Sequence, residues 1–429
     1  MSAAGVRPRS SMMPGLASRR IPASYLLVLA GLSIRAVMQA GLTILVARLL
    51  RPDEYGTSVA IAGVAGFFSV WAGLGASALH LRDNATNPSQ WRASYARHHA
   101  RIVFGLLPLA ALSLAVAWYV TSGTEAWIVL LLLVSGELLG APAADLLVRS
   151  YQGRSMYGAM AAIMCALPLV RLLLLAALVA FLPTVELVHW ATVVFVSGLA
   201  VAAFGQAMAV RLKGLHARAR QASEKDSTSG IAFAVAAASS RIHADADKVV
   251  LARMSSMTVA GEYSLAYRLV DVLLLPVNSL IEWSTRAMFQ HGRAGARDAV
   301  RALRTRWLIV SGLSVAASAL ILFLAPFLWI LFGSKYEGIE AIARWLCLLP
   351  LTSAGWFAVR NIASTSGQER MAAAVEGAGA LLNIVLCVIL IGALEWRGAI
   401  LATYITHLVM TSVALYVMTR TARCDGKPN

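Results

Sequence analysis

The sequence predicts an all-α integral membrane protein with twelve transmembrane helices. These form two six-helix bundles related by a pseudo-twofold axis along the membrane normal. Three observations predict it: a train of apolar segments, connections that alternate between rich and poor in basic residues, and a short motif that recurs 205 residues later. A helix needs about 20 apolar residues to cross the ~30 Å hydrocarbon core. Such segments fall at 21–47, 56–80, 102–122, 126–148, 157–181 and 187–210 in the first half. In the second half they fall at 230–252, 259–285, 307–332, 341–359, 371–393 and 398–419.

Charge fixes the expected orientation. Of 37 Lys and Arg residues, 26 lie in the tails and the connections after even-numbered spans. Five lie in the opposite connections: Arg48, Arg51, Arg253, Lys335 and Arg397. Basic loops remain in the cytoplasm, so both termini are expected there. The pI near 10.3 therefore reads as topology, with bases facing anionic inner-leaflet lipids, and not as nucleic-acid binding. Residues 1–20 form a basic tail, and the apolar stretch after it is too long for a cleavable signal. Residues 21–210 and 230–419 make the two bundles, 211–229 a basic cytoplasmic linker and 420–429 a second tail. No connection has room for a soluble domain, and no GxxxxGK[ST] segment is present. The four cysteines show no metal spacing, and no disulfide, metal or cofactor is expected.

The repeat links the halves. Leu45-Val46-Ala47-Arg48-Leu49 ends the first span and leads to Gly56; Val250-Leu251-Ala252-Arg253-Met254 ends the seventh and leads to Gly261. Both halves contain six spans and so share one orientation, an arrangement that places a substrate site between the bundles near the midplane.

Charged residues inside spans face a partner or a wet cavity, because hydrocarbon penalises an isolated charge. Arg35, Arg171 and Arg241 fall near mid-span, and Arg268 lies in the eighth span. A guanidinium binds phosphate oxygens bidentately and stays charged, so these four are the candidate anion site. The plainer alternative is internal pairing. It suits Arg241, with Asp245 one turn on, and Arg268, with Asp271 three residues on. Arg35 has only Gln39 on its own helical face, and Arg171 has no acid within four residues. In the seventh span, Arg241, Asp245 and Lys248 share a face, with His243 and Asp247 on the adjacent stripe. This is read either as an ion relay or, preferably, as a self-neutralising ladder. Candidates for ion coupling are Asp245, Asp247, Glu137 and Glu376, with Asp145 and Glu282 also noted. Arg344, near the outer end of its span, is read as snorkelling. Gly63, Gly66, Gly73 and Gly75 permit close helix contact in the second span, and Pro168 and Pro276 mark kinks.

"VARLLRPDEYGTSVAIAGVAGFF" (46–68) and "DADKVVLARMSSMTVAGEYSLAYRLVDVLLLP" (245–276) resemble the span-junction signatures of bacterial polysaccharide exporters. These are the Wzx-type O-antigen and lipid-linked oligosaccharide flippases, of the superfamily that includes the multidrug and toxic-compound extruders (MATE). The resemblance covers nearly the whole chain and implies a MATE-like fold. One departure is "WAGLGASAL" (71–79), where many relatives carry an acid before the Gly-Leu, so no role of that acid is transferred.

The resemblance implies a non-enzymatic flippase in the bacterial inner membrane. Its substrate would be a polyprenyl-diphosphate-linked oligosaccharide for O-antigen, capsule or exopolysaccharide, with membrane lipids, a polysaccharide polymerase and assembly proteins as partners. The alternatives are a cation-coupled multidrug extruder and a membrane-embedded polymerase. The first calls for an acidic, aromatic site. The second calls for long periplasmic loops, whereas those here are under about ten residues. A peptidoglycan-precursor flippase needs two further spans.

Overall fold

The computed structural model describes residues 23–86, 88–213, 224–292, 304–365 and 368–424. The basic tail 1–20, most of the linker 211–229 and the last residues of the C-terminal tail lie outside them. Among the described residues the chain is helical throughout, without strands. The first half comprises α1 (Ala23–Leu49), α2 (Pro52–Ser69), α3 (Ala76–Thr86), α4 (Trp91–Val120), α5 (Trp127–Gly153), α6 (Tyr157–Phe181) and α7 (Leu187–Lys213). The second comprises α8 (Glu224–Met254), α9 (Met257–Gly292), α10 (Arg304–Leu324), α11 (Leu328–Phe332), α12 (Ile339–Trp345), α13 (Leu349–Thr365), α14 (Glu369–Leu394) and α15 (Trp396–Cys424). We call the end where α1 begins the tail face and the other end the far face.

Nine described helices or helix runs are long and apolar enough to cross a membrane, and α2 with α3 makes a tenth. The chain is a multi-pass membrane protein. At 31 and 36 residues, α8 and α9 have the length of the seventh and eighth spans, but Arg241, Asp245, Asp247 and Lys248 alone put four charges into α8. The second span differs from the continuous helix expected: it breaks between α2 and α3 with a bend of 49°. Gly73 and Gly75 take φ of +79° and +75° there, which a side chain would strain, and Leu74 between them is at +49°. Pro168 and Pro276 both lie inside continuous helices, α6 and α9.

Within the first half α5 packs on α7 and α1 on α6; within the second, α14 packs on α15 and α8. The seam is α2 against α8 and α9. The two glycines of the repeat meet on it: a Cβ on Gly56 would strike the Met257 carbonyl, and one on Gly261 would lie 3.1 Å from the Gly56 nitrogen. Small residues here let two backbones touch where lipid supplies no hydrophobic drive for association.

The segment Arg51-Pro52-Asp53-Glu54 starts α2 with Pro at the first turn, two acids complementing the helix dipole, and the Glu54 carboxylate accepting from the Arg51 N–H at 2.9 Å. At the far face the repeated arginines reach across the seam in related ways. Arg48, ending α1, donates to the Leu331 and Ile330 carbonyls at 2.8 and 2.5 Å, capping the end of α11. Arg253, ending α8, lies over the Tyr119 ring at 4.7 Å, near the end of α4. Each thus meets the third span of the opposite half. Lys335 adds contacts to the Arg48 and Leu50 carbonyls, and buried Tyr336 donates to Ala47 at 2.9 Å. Burial lowers the proton affinity of the Lys335 amine, with Glu54 opposing.

These contacts seal the far face. Replacing Arg48 and Lys335 together by Ala is expected to open it. In a background without native cysteines, a Cys at buried position 47 should then react with a membrane-impermeant maleimide several-fold faster; unchanged labelling would mean that other contacts hold the closure.

Candidate functional site

Between the halves lies a cavity of about 810 Å³. It runs from Arg149 and Gln152 near the tail face to Tyr55, Ser58 and Trp190, which are buried beneath the far-face contacts. Trp190 Nε1 donates to Ser58 Oγ at 2.8 Å and closes that end with a satisfied polar pair. All four sequence-nominated arginines line the cavity. Counted at 1.5 Å per residue from the far ends of their helices, Arg35, Arg171, Arg241 and Arg268 lie roughly 15–21 Å deep and form a belt near the midplane.

Their pairing differs. Arg171 Nη2 donates to Glu137 Oε1 of α5 at 2.8 Å, and its Nε donates to Ser197 Oγ of α7 at 3.2 Å. Arg241 meets Asp245 at 3.4 Å and Arg268 meets Asp271 at 3.3 Å, both along their own helices and both half-exposed. Lys248 shares Asp245 at 3.4 Å and also contacts the Ala244 carbonyl. Near the tail face Arg149 pairs with Asp145 at 3.4 Å and donates to Gln152 at 3.0 Å. Arg35 is exposed to the cavity and has no hydrogen bond or carboxylate partner among the described residues.

Arg35 and Arg171 are neighbours on adjacent, parallel helices. A Cβ on Gly31 of α1 would strike Ala161 of α6, and Cys165 Sγ donates to the Gly31 carbonyl at 3.6 Å. Counted from that crossing, the Arg35 backbone lies four residues on and the Arg171 backbone ten, roughly 9 Å apart in height. On α2, Gly66 leaves room for Arg241, whose guanidinium carbon would be 3.7 Å from an added Cβ.

The seventh-span stripes separate. Arg241, Asp245 and Lys248 face the cavity. Asp247 does not: it is buried, accepts from Tyr263 Oη at 2.7 Å and from the Lys248 N–H at 2.8 Å, and ties α8 to α9. Glu376 also lies elsewhere, accepting from Arg360 at 3.1 Å and Ser240 at 3.2 Å within the second half, while His243 contacts its backbone carbonyl at 3.3 Å. The side chain of Glu282 is outside the described set, and Arg344 pairs with Glu340 at 2.6 Å. The residues that sequence reasoning missed in the cavity wall include Arg149, Ser58 and Trp190, with buried Ser197 behind Arg171; only Arg149, one turn from Asp145, carried a local signal.

A family profile described as polysaccharide biosynthesis protein matches residues 23–288, more than half the chain. The chain belongs to this family. No curated protein matches it significantly by sequence. Among solved structures, it resembles an inward-facing multidrug resistance MATE family transporter of the MOP superfamily, with TM-score 0.71 and 14% identity over 94% of this chain and 100% of that one. An outward-facing form gives 0.63 and 14% over 94% and 95%. A eukaryotic MATE transporter gives 0.59 and 18% over 92% and 96%. At these identities the likeness establishes the fold: this polysaccharide biosynthesis protein is MATE-like.

In this family member the Arg171–Glu137 pair joins α5 to α6 with little exposure of either side chain. Arg171→Ala is expected to leave a half-buried carboxylate uncompensated and to cost about 3 kcal/mol. Thermal unfolding in detergent should show a lowered Tm, with Arg171→Met plus Glu137→Gln recovering most of the loss. Recovery absent, or no loss in the single variant, would mean the pair holds nothing together.

Proposed function

We propose that this protein is a flippase. It moves an undecaprenyl-diphosphate-linked oligosaccharide from the inner to the outer leaflet of the bacterial cytoplasmic membrane, for polysaccharide assembly. The carrying observation is Arg35, a guanidinium in a membrane-embedded cavity with no partner among the described residues. Six cations and three carboxylates line that cavity among the described residues, which suits an anion and opposes a lipophilic cation. The MATE-like fold serves drug extruders equally well, so the support for the flippase reading comes from the charge of the cavity together with the family.

The basic connections make the tail face cytoplasmic. A cavity closed at the far face then receives substrate from the inner leaflet. The diphosphate sits on Arg35 and Arg171, with Arg241 and Arg268 across the cleft, and the glycan occupies the surrounding polar space. The polyprenyl chain stays in lipid beside α1, whose Ile34 and Val37 are exposed. No bond is made or broken. Transferring about two negative charges out of a negative interior releases ~4–5 kcal/mol at 100 mV, so the potential alone can drive the step. The released unit would pass to a polysaccharide polymerase and assembly proteins, and a coupling ion, if used, would meet Asp245 or Glu137 in the cavity.

Deleting the gene should raise the pool of completed lipid-linked repeat units facing the cytoplasm. Wild type should relieve the accumulation and Arg35→Ala should not, although Arg35→Ala should fold normally because it breaks no pair. An unchanged pool with lost efflux of cationic dyes would overturn the flippase reading in favour of a drug extruder.

A further inference from the structure

We infer that Glu137 is a resident anion that competes with the substrate diphosphate for Arg171 and so sets how readily the substrate is released. The inference rests on the flippase reading. Its structural basis is the contrast among the cavity's ion pairs. The arginine pairs of Arg241, Arg268 and Arg149 are longer contacts of 3.3–3.4 Å between residues three or four apart on one helix. The Arg171–Glu137 pair joins two helices at 2.8 Å and is the least exposed of the four.

The geometry makes the competition direct. Ser197 Oγ accepts from Arg171 Nε, and Ser197 in turn donates to the Val194 carbonyl at 2.9 Å, so the guanidinium is held from the α7 side. The edge that remains for a bidentate anion includes Nη2, which Glu137 already occupies. A phosphate that takes this edge as a fork must share Nη2 with the carboxylate or displace it. Sharing or displaced, Glu137 has no second hydrogen-bond partner among the described residues and stays beside the phosphate as a like charge. Arg35 has no such competitor. The two neighbours therefore differ in role: Arg35 captures the anion and stays on it, while Arg171 exchanges it with a side chain of the protein. A belt of arginines without that competitor would bind the headgroup and keep it.

The test is binding and release of undecaprenyl diphosphate, without sugar, by the purified full chain in nanodiscs. Glu137→Gln keeps the shape and removes the charge. It should bind about tenfold more tightly than wild type, the ratio that corresponds to 1.4 kcal/mol. It should also release the probe more slowly, and at matched levels of folded protein the same variant in cells should export less polysaccharide. Glu137→Ala should show the same direction and guards against an effect of the amide itself. Unchanged or weaker binding by both variants, with wild type still binding and Arg35→Ala not, would overturn the role of Glu137 and leave the flippase reading standing. No binding by wild type would overturn the diphosphate site, and this inference with it.

Discussion

A hydrocarbon core accepts neither an open backbone hydrogen bond nor an isolated charge, and the architecture of this protein follows from meeting both demands. The first demand makes the described chain helical from end to end. The second decides which way each helix turns. The basic and acidic residues of α5, α6, α8 and α9 cannot face lipid, so they face one another or a shared wet cavity. The exposed flanks of α1, α6 and α14 carry Val37, Leu173 and Ile389 instead. The cavity is therefore the place where the charges the sequence puts into spans become tolerable.

The seam that forms this cavity is held by small residues and by far-face polar contacts. Lipid supplies no force that pushes helices together, so close association needs backbone contact and hydrogen bonds. Gly56 and Gly261 provide the contact, and Gly63 continues it against Val249 and Asp245. The arginines of the repeat provide polar contacts in pseudo-symmetric fashion, each ending a first span of its half and reaching the third span of the other. The repeated segments thus fasten the two halves to each other at the far face, and a close approach of Gly75 to the Gly230 carbonyl joins them again toward the tail face.

Much of this was legible in the sequence. Hydropathy and the alternation of basic connections gave the spans, and the recurrence of Ala-Arg and Gly marked residues that meet across the axis. The break in the second span was not legible. Gly73 and Gly75 signalled packing, but glycine composition does not reveal φ, and the structure uses both for a left-handed turn. The site was partly legible. Spacing along one helix predicted the Arg241–Asp245 and Arg268–Asp271 contacts, because such pairs are three or four residues apart. It could not find Glu137 for Arg171, since that partner is 34 residues away on another helix. The same limitation grouped Asp247 with the cavity residues. Two residues along α8, about 200° of rotation, separate a wall-lining Asp245 from an Asp247 buried against Tyr263.

What remains after pairing is the functionally telling quantity. Five of the six cavity cations have a carboxylate within salt-bridge distance, so counting charges overstates the field that a ligand meets. A paired guanidinium attracts an anion weakly, because the anion must displace a group already there. An unpaired one attracts it at full strength, and hydrocarbon does not tolerate it unless water or a ligand solvates it. Arg35 can persist unpaired because it is exposed within the cavity, where water can solvate it. When the anion arrives it replaces that water, and the cost of desolvating the guanidinium falls on the complex and not on folding. Closure at the far face, a polar cavity beneath it and a guanidinium with no carboxylate partner among the described residues are thus aspects of one arrangement: a charge tolerable in the empty site only because the cavity leaves it exposed.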